Sequence, residues 1–400
     1  MRIKPLGQKE FIALFALVTS MTALSIDTML PALDTIGRDL GVSDPRDVQY
    51  IISLLVLGMM AGELFFGSLA DALGRKKALM VGLLIYGAGT IMTLAAQSMT
   101  MLLVGRVVQG IGVAGPKIAS RALLRDQFEG DALARISSII FMIFILVPMV
   151  APLVGMLLVN LWHWRAIFLV FLLLAIINGL WLGLRQPETL PPERRIALQW
   201  NVQLANILSI MKIKSVVALT LALGCVFGTM LSYISTAPAI FHDIYGITDL
   251  FPLYFAMLAG GIGVSSFLNA HVVRRFGATR MALGALIAAT ALSAMGMLGV
   301  VHGGGVLPFP LFMALFFSLF FCLGALFGNL SAIAMQPLGN MAGIGASFIS
   351  AFSSLTSALI AMLSGRFYDG TLFAITICML LAFSTALTLF FYSRKVKVHS

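Results

Sequence analysis

Four ionisable side chains lie where almost every neighbour in the chain is apolar: Asp27, Glu63, Arg106 and Lys117. The two acids can take up and release a proton, and the two cations can neutralise them or bias that exchange. If the surrounding runs cross a membrane, each charge at depth costs roughly 2.5–3.5 kcal/mol on insertion scales, so each needs a partner or a task. Their depths fall into two pairs. Asp27 is about six residues, or about 9 Å, from the end of the first apolar run, and Arg106 lies about as far from the start of the fourth. Glu63 and Lys117 lie about seven and about six residues from the C-terminal ends of the second and fourth runs. About three helical turns separate Arg106 from Lys117, which puts them on one face. The expectation is two stacked acid–base pairs, Asp27–Arg106 and Glu63–Lys117, served by one stripe of the fourth run. These groups either couple protons to movement or only neutralise buried charge as static ion pairs.

Positioning these groups falls to long apolar helices. Of the 400 residues, 60% are hydrophobic and 10% are charged, against about 45–50% and about 25% in soluble proteins. That composition excludes a soluble fold, which needs polar surface to cover its core, and it excludes disorder. Runs of about 20 residues, enough to cross a bilayer, fall near 10–33, 48–70, 78–97, 100–123, 136–160, 164–185, 215–241, 250–272, 279–301, 308–332, 343–366 and 370–392. Turn chemistry separates them at Asp44-Pro45, Gly74-Arg75-Lys76-Lys77, Gly303-Gly304-Gly305 and Gln336-Pro337-Leu338-Gly339-Asn340. The break at Gln97-Ser98 is the weakest of these divisions. The expected fold class is an all-α membrane protein with twelve transmembrane helices.

The longest hydrophilic stretch, 186–214, divides six spans from six. The expected organisation is an N-terminal six-helix bundle over 1–185, a cytoplasmic central loop over 186–214 and a C-terminal six-helix bundle over 215–400. A faint repeat supports two halves. Gly67-(x)3-Asp71-(x)2-Gly74-Arg75-Lys76 after span 2 is echoed after span 8 by Asn269-(x)4-Arg274-Arg275-Phe276-Gly277. The net charge is +10. With the N-terminus inside, segments carrying Arg2, Lys4 and Lys9, Arg75 to Lys77, Arg121 to Arg135, Arg185 to Lys214, Arg274 to Arg280, and Arg394 to Lys397 are cytoplasmic and hold most of the cations. The outer segments hold only Arg38, Arg46, Arg165 and Arg366. The positive-inside rule therefore puts both termini in the cytoplasm. The excess charge has no single basic face or aromatic stacking module, so no nucleic-acid partner is expected. Three scattered cysteines (Cys225, Cys322, Cys378) form neither a disulfide framework nor a metal site. The stripes Phe141, Met142, Phe144 and Phe316, Phe317, Phe320, Phe321 are read as lipid-facing or packing residues.

Gly67-Ser-Leu-Ala-Asp71-Ala-Leu-Gly74-Arg75-Lys76-Lys77 resembles the loop 2–3 signature of the major facilitator superfamily. The resemblance implies a conformational latch of Gly67, Asp71, Gly74, Arg75 and Lys76, completed by an acid near the end of span 4, here Asp126. Leu103-(x)2-Arg106-(x)2-Gln109-Gly110-(x)-Gly112 resembles the span 4 motif of that superfamily, whose arginine is tied to proton movement. Gly110, Gly112 and Gly115 also match a dinucleotide fingerprint, but they lie inside an apolar span with no strand before them, so helix packing is the expected role. Pro148-(x)3-Pro152-(x)2-Gly155 looks like the span 5 motif of drug:proton antiporters, with Ala151 where those proteins usually carry glycine. Ser25-Ile26-Asp27-(x)2-Leu30-Pro31 and Pro187-Glu188-Thr189-Leu190-Pro191-Pro192-Glu193 resemble the Bcr/CflA group. Glu63 departs from that group, where an amide is usual.

The resemblance implies the twelve-helix facilitator fold. It further implies proton-driven export of drugs such as bicyclomycin, amphenicols and sulfonamides across the bacterial inner membrane. The expected partners are small-molecule drugs, protons and the lipid bilayer. The expected state is a monomer without a cofactor or metal, with the proton gradient as energy source. Asp27 is the favoured coupling acid. The alternative transport reading is an exporter of one endogenous metabolite, such as a nucleoside or amino-acid derivative. A lipid-handling enzyme lacks a catalytic constellation, and a receptor or scaffold lacks a sizeable extramembrane module.

Overall fold

The computed structural model describes residues 6–196, 198 and 200–398, without the side chains at 131, 134, 138, 141, 145, 200, 340, 342 and 396–398. Arg2 and Lys4 therefore lie outside the described residues, as do the side chains of Phe141 and Lys397. The helices are α1 (Gln8–Asp27), α2 (Leu33–Asp39), α3 (Tyr50–Leu73), α4 (Arg75–Leu94), α5 (Met99–Gln127), α6 (Gly130–Leu161) and α7 (Arg165–Arg185). They continue as α8 (Trp200–Lys212), α9 (Lys214–Ala239), α10 (Phe251–Phe276), α11 (Ala278–His302), α12 (Phe309–Met335), α13 (Ala342–Arg366) and α14 (Phe373–Val398). Among the described residues, 12 helical stretches are long and apolar enough to cross a membrane. Each falls on one of the spans expected from the sequence.

Three local features have clear causes. The first span was expected to run unbroken to Leu33, but α1 stops at Asp27 and a tight turn, Leu30–Ala32, leads into α2. Pro31 lacks the N–H that would bond the Asp27 carbonyl, so the helical ladder tightens there. The weak division between the third and fourth spans is real. α4 ends at Leu94, and the Ser98 Oγ accepts from the Met101 N–H at 3.3 Å to open α5. The stretch 186–214, expected as a loop, contains the amphipathic helix α8.

The chain divides into two units, Met1–Leu204 and Ala205–Ser400. In the first, α5 lies against both α3 and α4 at backbone distance. An added Cβ at Gly110 would collide with the Leu55 carbonyl of α3, so the glycines of this span serve packing, as expected. Phe11, Phe15, Phe66, Leu79 and Leu123 fill one buried cluster of this unit. In the second unit, Tyr233 is the hub of an aromatic cluster, with Phe316 and Phe320 at 5.1 and 5.0 Å between ring centroids. Phe316 and Phe320 are buried one turn apart, while Phe317 faces outward. On α6, Met142 is likewise exposed.

Candidate functional site

Asp27 is the last residue of α1 and is buried, with Oδ1 making no hydrogen bond among the described residues. Arg106, on α5, is completely buried. Its Nε donates to the Ile51 carbonyl at 2.9 Å, one Nη to the Ser25 carbonyl at 2.6 Å, and the other to Gln109 Oε1 at 2.9 Å. The expected Asp27–Arg106 pair is therefore not formed. The depth was right to within two residues, because Arg106 reaches α1 at Ser25. The direction was wrong, because two residues turn a helix by about 200°, and Asp27 faces away from the residue that Arg106 holds.

A chain of polar groups runs from that contact. Ser25 Oγ donates to the Met21 carbonyl at 2.6 Å and accepts from the buried Tyr86 hydroxyl at 2.7 Å. Gln109 Nε2 donates to Thr90 Oγ1 at 2.7 Å, and Thr90 donates to the Tyr86 carbonyl at 2.7 Å. The guanidinium is thus held by neutral oxygens alone, and the buried Asp27 carboxyl, two residues beyond the Ser25 carbonyl, forms no ion pair with it. Ser25 stood in the sequence only as the first residue of the Asp27 motif, and Tyr86 and Thr90 went unselected. Polar residues one turn apart at 86 and 90 in an apolar span were the available signal.

The α6 motif meets this site from the other side. Pro152 and Gly155 are buried and Pro148 is half-buried. A Cβ on Gly155 would collide with the Thr28 carbonyl and meet the Pro31 ring at 3.1 Å. The glycine therefore lets α6 seat on the turn directly after Asp27.

Glu63, on α3, and Lys117, on α5, form the second expected pair, an ion pair in which Glu63 is fully buried and Lys117 is 22% exposed. Arg121, one turn further along α5, lies within electrostatic range of Glu63. Two matched charges at one depth close on each other here.

At one end of the unit, Arg75 is held between Asp71 and Asp126, with the Asp126 carboxylate 3.0 Å from its Nε. Gly67 lies two turns before, in α3, and Gly74 turns the chain with φ 105°. Lys76 Nζ donates to the Gly183 carbonyl at 2.7 Å at the end of α7. The expected cluster is therefore brought together. Sequence reasoning missed its keystone. Glu188 Oε1 accepts from the Arg75 N–H at 2.8 Å and the Lys76 N–H at 3.4 Å, capping α4 with a carboxylate. Thr189 Oγ1 donates to Asp126 at 3.1 Å, and the Ile196 N–H to the Asp71 carbonyl at 3.1 Å.

A family profile described as Major Facilitator Superfamily matches residues 15–361. The chain is 32% identical over 272 residues, 68% of each chain, to the bicyclomycin resistance protein homolog of Haemophilus influenzae. It is 24% identical over 368 residues, 89% of this chain and 88% of the relative, to multidrug resistance protein D of Escherichia coli K12. In fold it is similar to the xylose transporter XylE of E. coli, with a TM-score of 0.73 at 12% identity over 95% of this chain and 96% of that one. The human organic anion transporter MFSD10 gives 0.70 at 16% identity over 97% and 100%. Twelve membrane-length helices, a fold shared with solved transporters and a family match over most of the length lead to one conclusion: the chain belongs to the Major Facilitator Superfamily and is a multi-pass membrane transport protein, not an enzyme.

Proposed function

We propose that this transporter is a proton-coupled antiporter that exports small lipophilic or amphipathic drugs, of the bicyclomycin, amphenicol and sulfonamide class, across the bacterial inner membrane. The observation that carries the reading is the buried Asp27 carboxyl with an unpaired oxygen, two residues from the carbonyl that holds Arg106. A buried carboxyl oxygen that accepts no hydrogen bond is a costly place for negative charge. Loss of its proton therefore calls for a rearrangement, and Arg106 is the nearby cation that can supply a partner. Each proton entering gains about 2.3 kcal/mol per 100 mV of membrane potential. The name of the H. influenzae relative supports a drug of this class.

In this reading Glu63 and Lys117 form a second charge site. Gln109 and Gly110 orient and seat Arg106, and Pro148, Pro152 and Gly155 hold the end of α1. Gly67, Asp71, Gly74, Arg75, Lys76 and Asp126 act as a latch that favours one conformation. The protein works as a monomer, with both termini cytoplasmic and no cofactor beyond the proton gradient. The test is uptake of a compound panel into inverted membrane vesicles with and without an imposed pH gradient. Several unrelated lipophilic compounds should accumulate only with the gradient. Gradient-driven uptake of one metabolite alone would replace the drug reading with the metabolite one. Accumulation indifferent to the gradient would remove proton coupling.

A further inference from the structure

The start of α11 repeats the start of α4. Gly277 has φ 79° and opens α11 as Gly74 opens α4. α11 packs against α12 and α14 as α4 packs against α5 and α7. In the first unit this place is filled by the Glu188 carboxylate. In the second it is an open cavity of about 250 Å³ with Thr279, Gln336, Ser393 and Arg394 around it and Ile333 and Phe390 as an apolar floor.

Charge separates the two places further. Residues 215–400 contain three acids, Asp243, Asp249 and Asp369. All three lie in the connections α9–α10 and α13–α14, at the opposite end of the helices from the cavity. The cavity end carries Arg274, Arg275, Arg280, Arg394 and Lys395 with no acid of its own unit. The corresponding end of the first unit balances its cations with Asp71, Asp126 and Glu188.

We propose that this cavity binds the phosphate headgroup of an anionic phospholipid, which supplies to α11 and α14 the negative charge that Glu188 supplies to α4. Arg394 and the Thr279 and Ser393 edge meet the phosphate, and the Ile333 and Phe390 floor receives the glycerol end of the acyl chains. Basic pockets between spans at a membrane surface are suited to such headgroups.

The test is native mass spectrometry of the full-length protein titrated with phosphatidylglycerol or phosphatidylcholine, alongside thermal melting with inorganic phosphate. One phosphatidylglycerol should be retained with about fivefold preference over phosphatidylcholine. Arg394→Gln should lose that preference. Thr279→Glu, which places a fixed carboxylate at the cavity mouth, should lose it too and carries the test if Arg394→Gln folds poorly. Arg274→Gln, on the exposed surface of the same end, should keep it. Wild-type retention in both cavity variants overturns the proposal. So does equal loss in Arg274→Gln, which would indicate diffuse surface charge, and so does equal protection by inorganic phosphate, which would indicate a free-anion site.

Discussion

The two charge sites inside the first unit each set a carboxylic acid near a cation of α5 and reach opposite solutions. At Glu63–Lys117 the acid and the base close on each other. At Asp27 and Arg106 they do not: each nitrogen of the cation donates to a neutral oxygen, and one oxygen of the acid is left without a partner. A closed pair resists change, because moving either member strands the other charge in a low-dielectric site. An open pair has a second arrangement available to it. The difference teaches that an acid and a base at one depth need not pair, and that one open and one closed site can share a helix.

The sharpest way to break this comparison is Asp27→Asn, which keeps size and polarity and removes titration. Uphill export of a neutral drug should fall to background while drug binding and thermal stability persist. Full export in vesicles of this variant would move coupling to Glu63. Next is the closed pair. Glu63→Gln should destabilise the protein by roughly 3–5 kcal/mol, and Lys117→Met should restore part of that loss. A double-mutant cycle read by thermal melting checks the coupling, and additive effects would dissolve the pair. The smallest effect belongs to the support around Arg106. Tyr86→Phe removes one buried hydrogen bond to Ser25 and should cost about 1 kcal/mol. Melting and transport together test it, and a loss of transport far beyond that cost would promote Tyr86 from support to coupling.

Hydropathy and turn chemistry made the twelve spans legible, because each span must bury its own backbone polar groups and so declares itself in composition. Counting residues along the helices made the Glu63–Lys117 pair legible, since both members lie well inside their helices. The same counting failed at Asp27 because depth says nothing about direction around the helix axis, and because Pro31, one turn on, ends the regular helix at the acid itself. Glu188 was visible as part of a motif, but its seat on Arg75 and Lys76 joins residues more than a hundred positions apart. No local periodicity encodes such a contact. The three cations opening α4 were the only hint that an anion was wanted there.

The hydrogen bonds of Glu188, Thr189 and Ile196 tie the start of the connecting stretch to the ends of α3, α4 and α5. Its first residues are thus part of the first unit's masonry. For anyone dividing the gene into two separately expressed pieces, the choice of cut is thereby constrained. A fragment ending at Arg185 would leave α4 without its carboxylate and Asp126 without Thr189, whereas one ending at Leu204 would carry both.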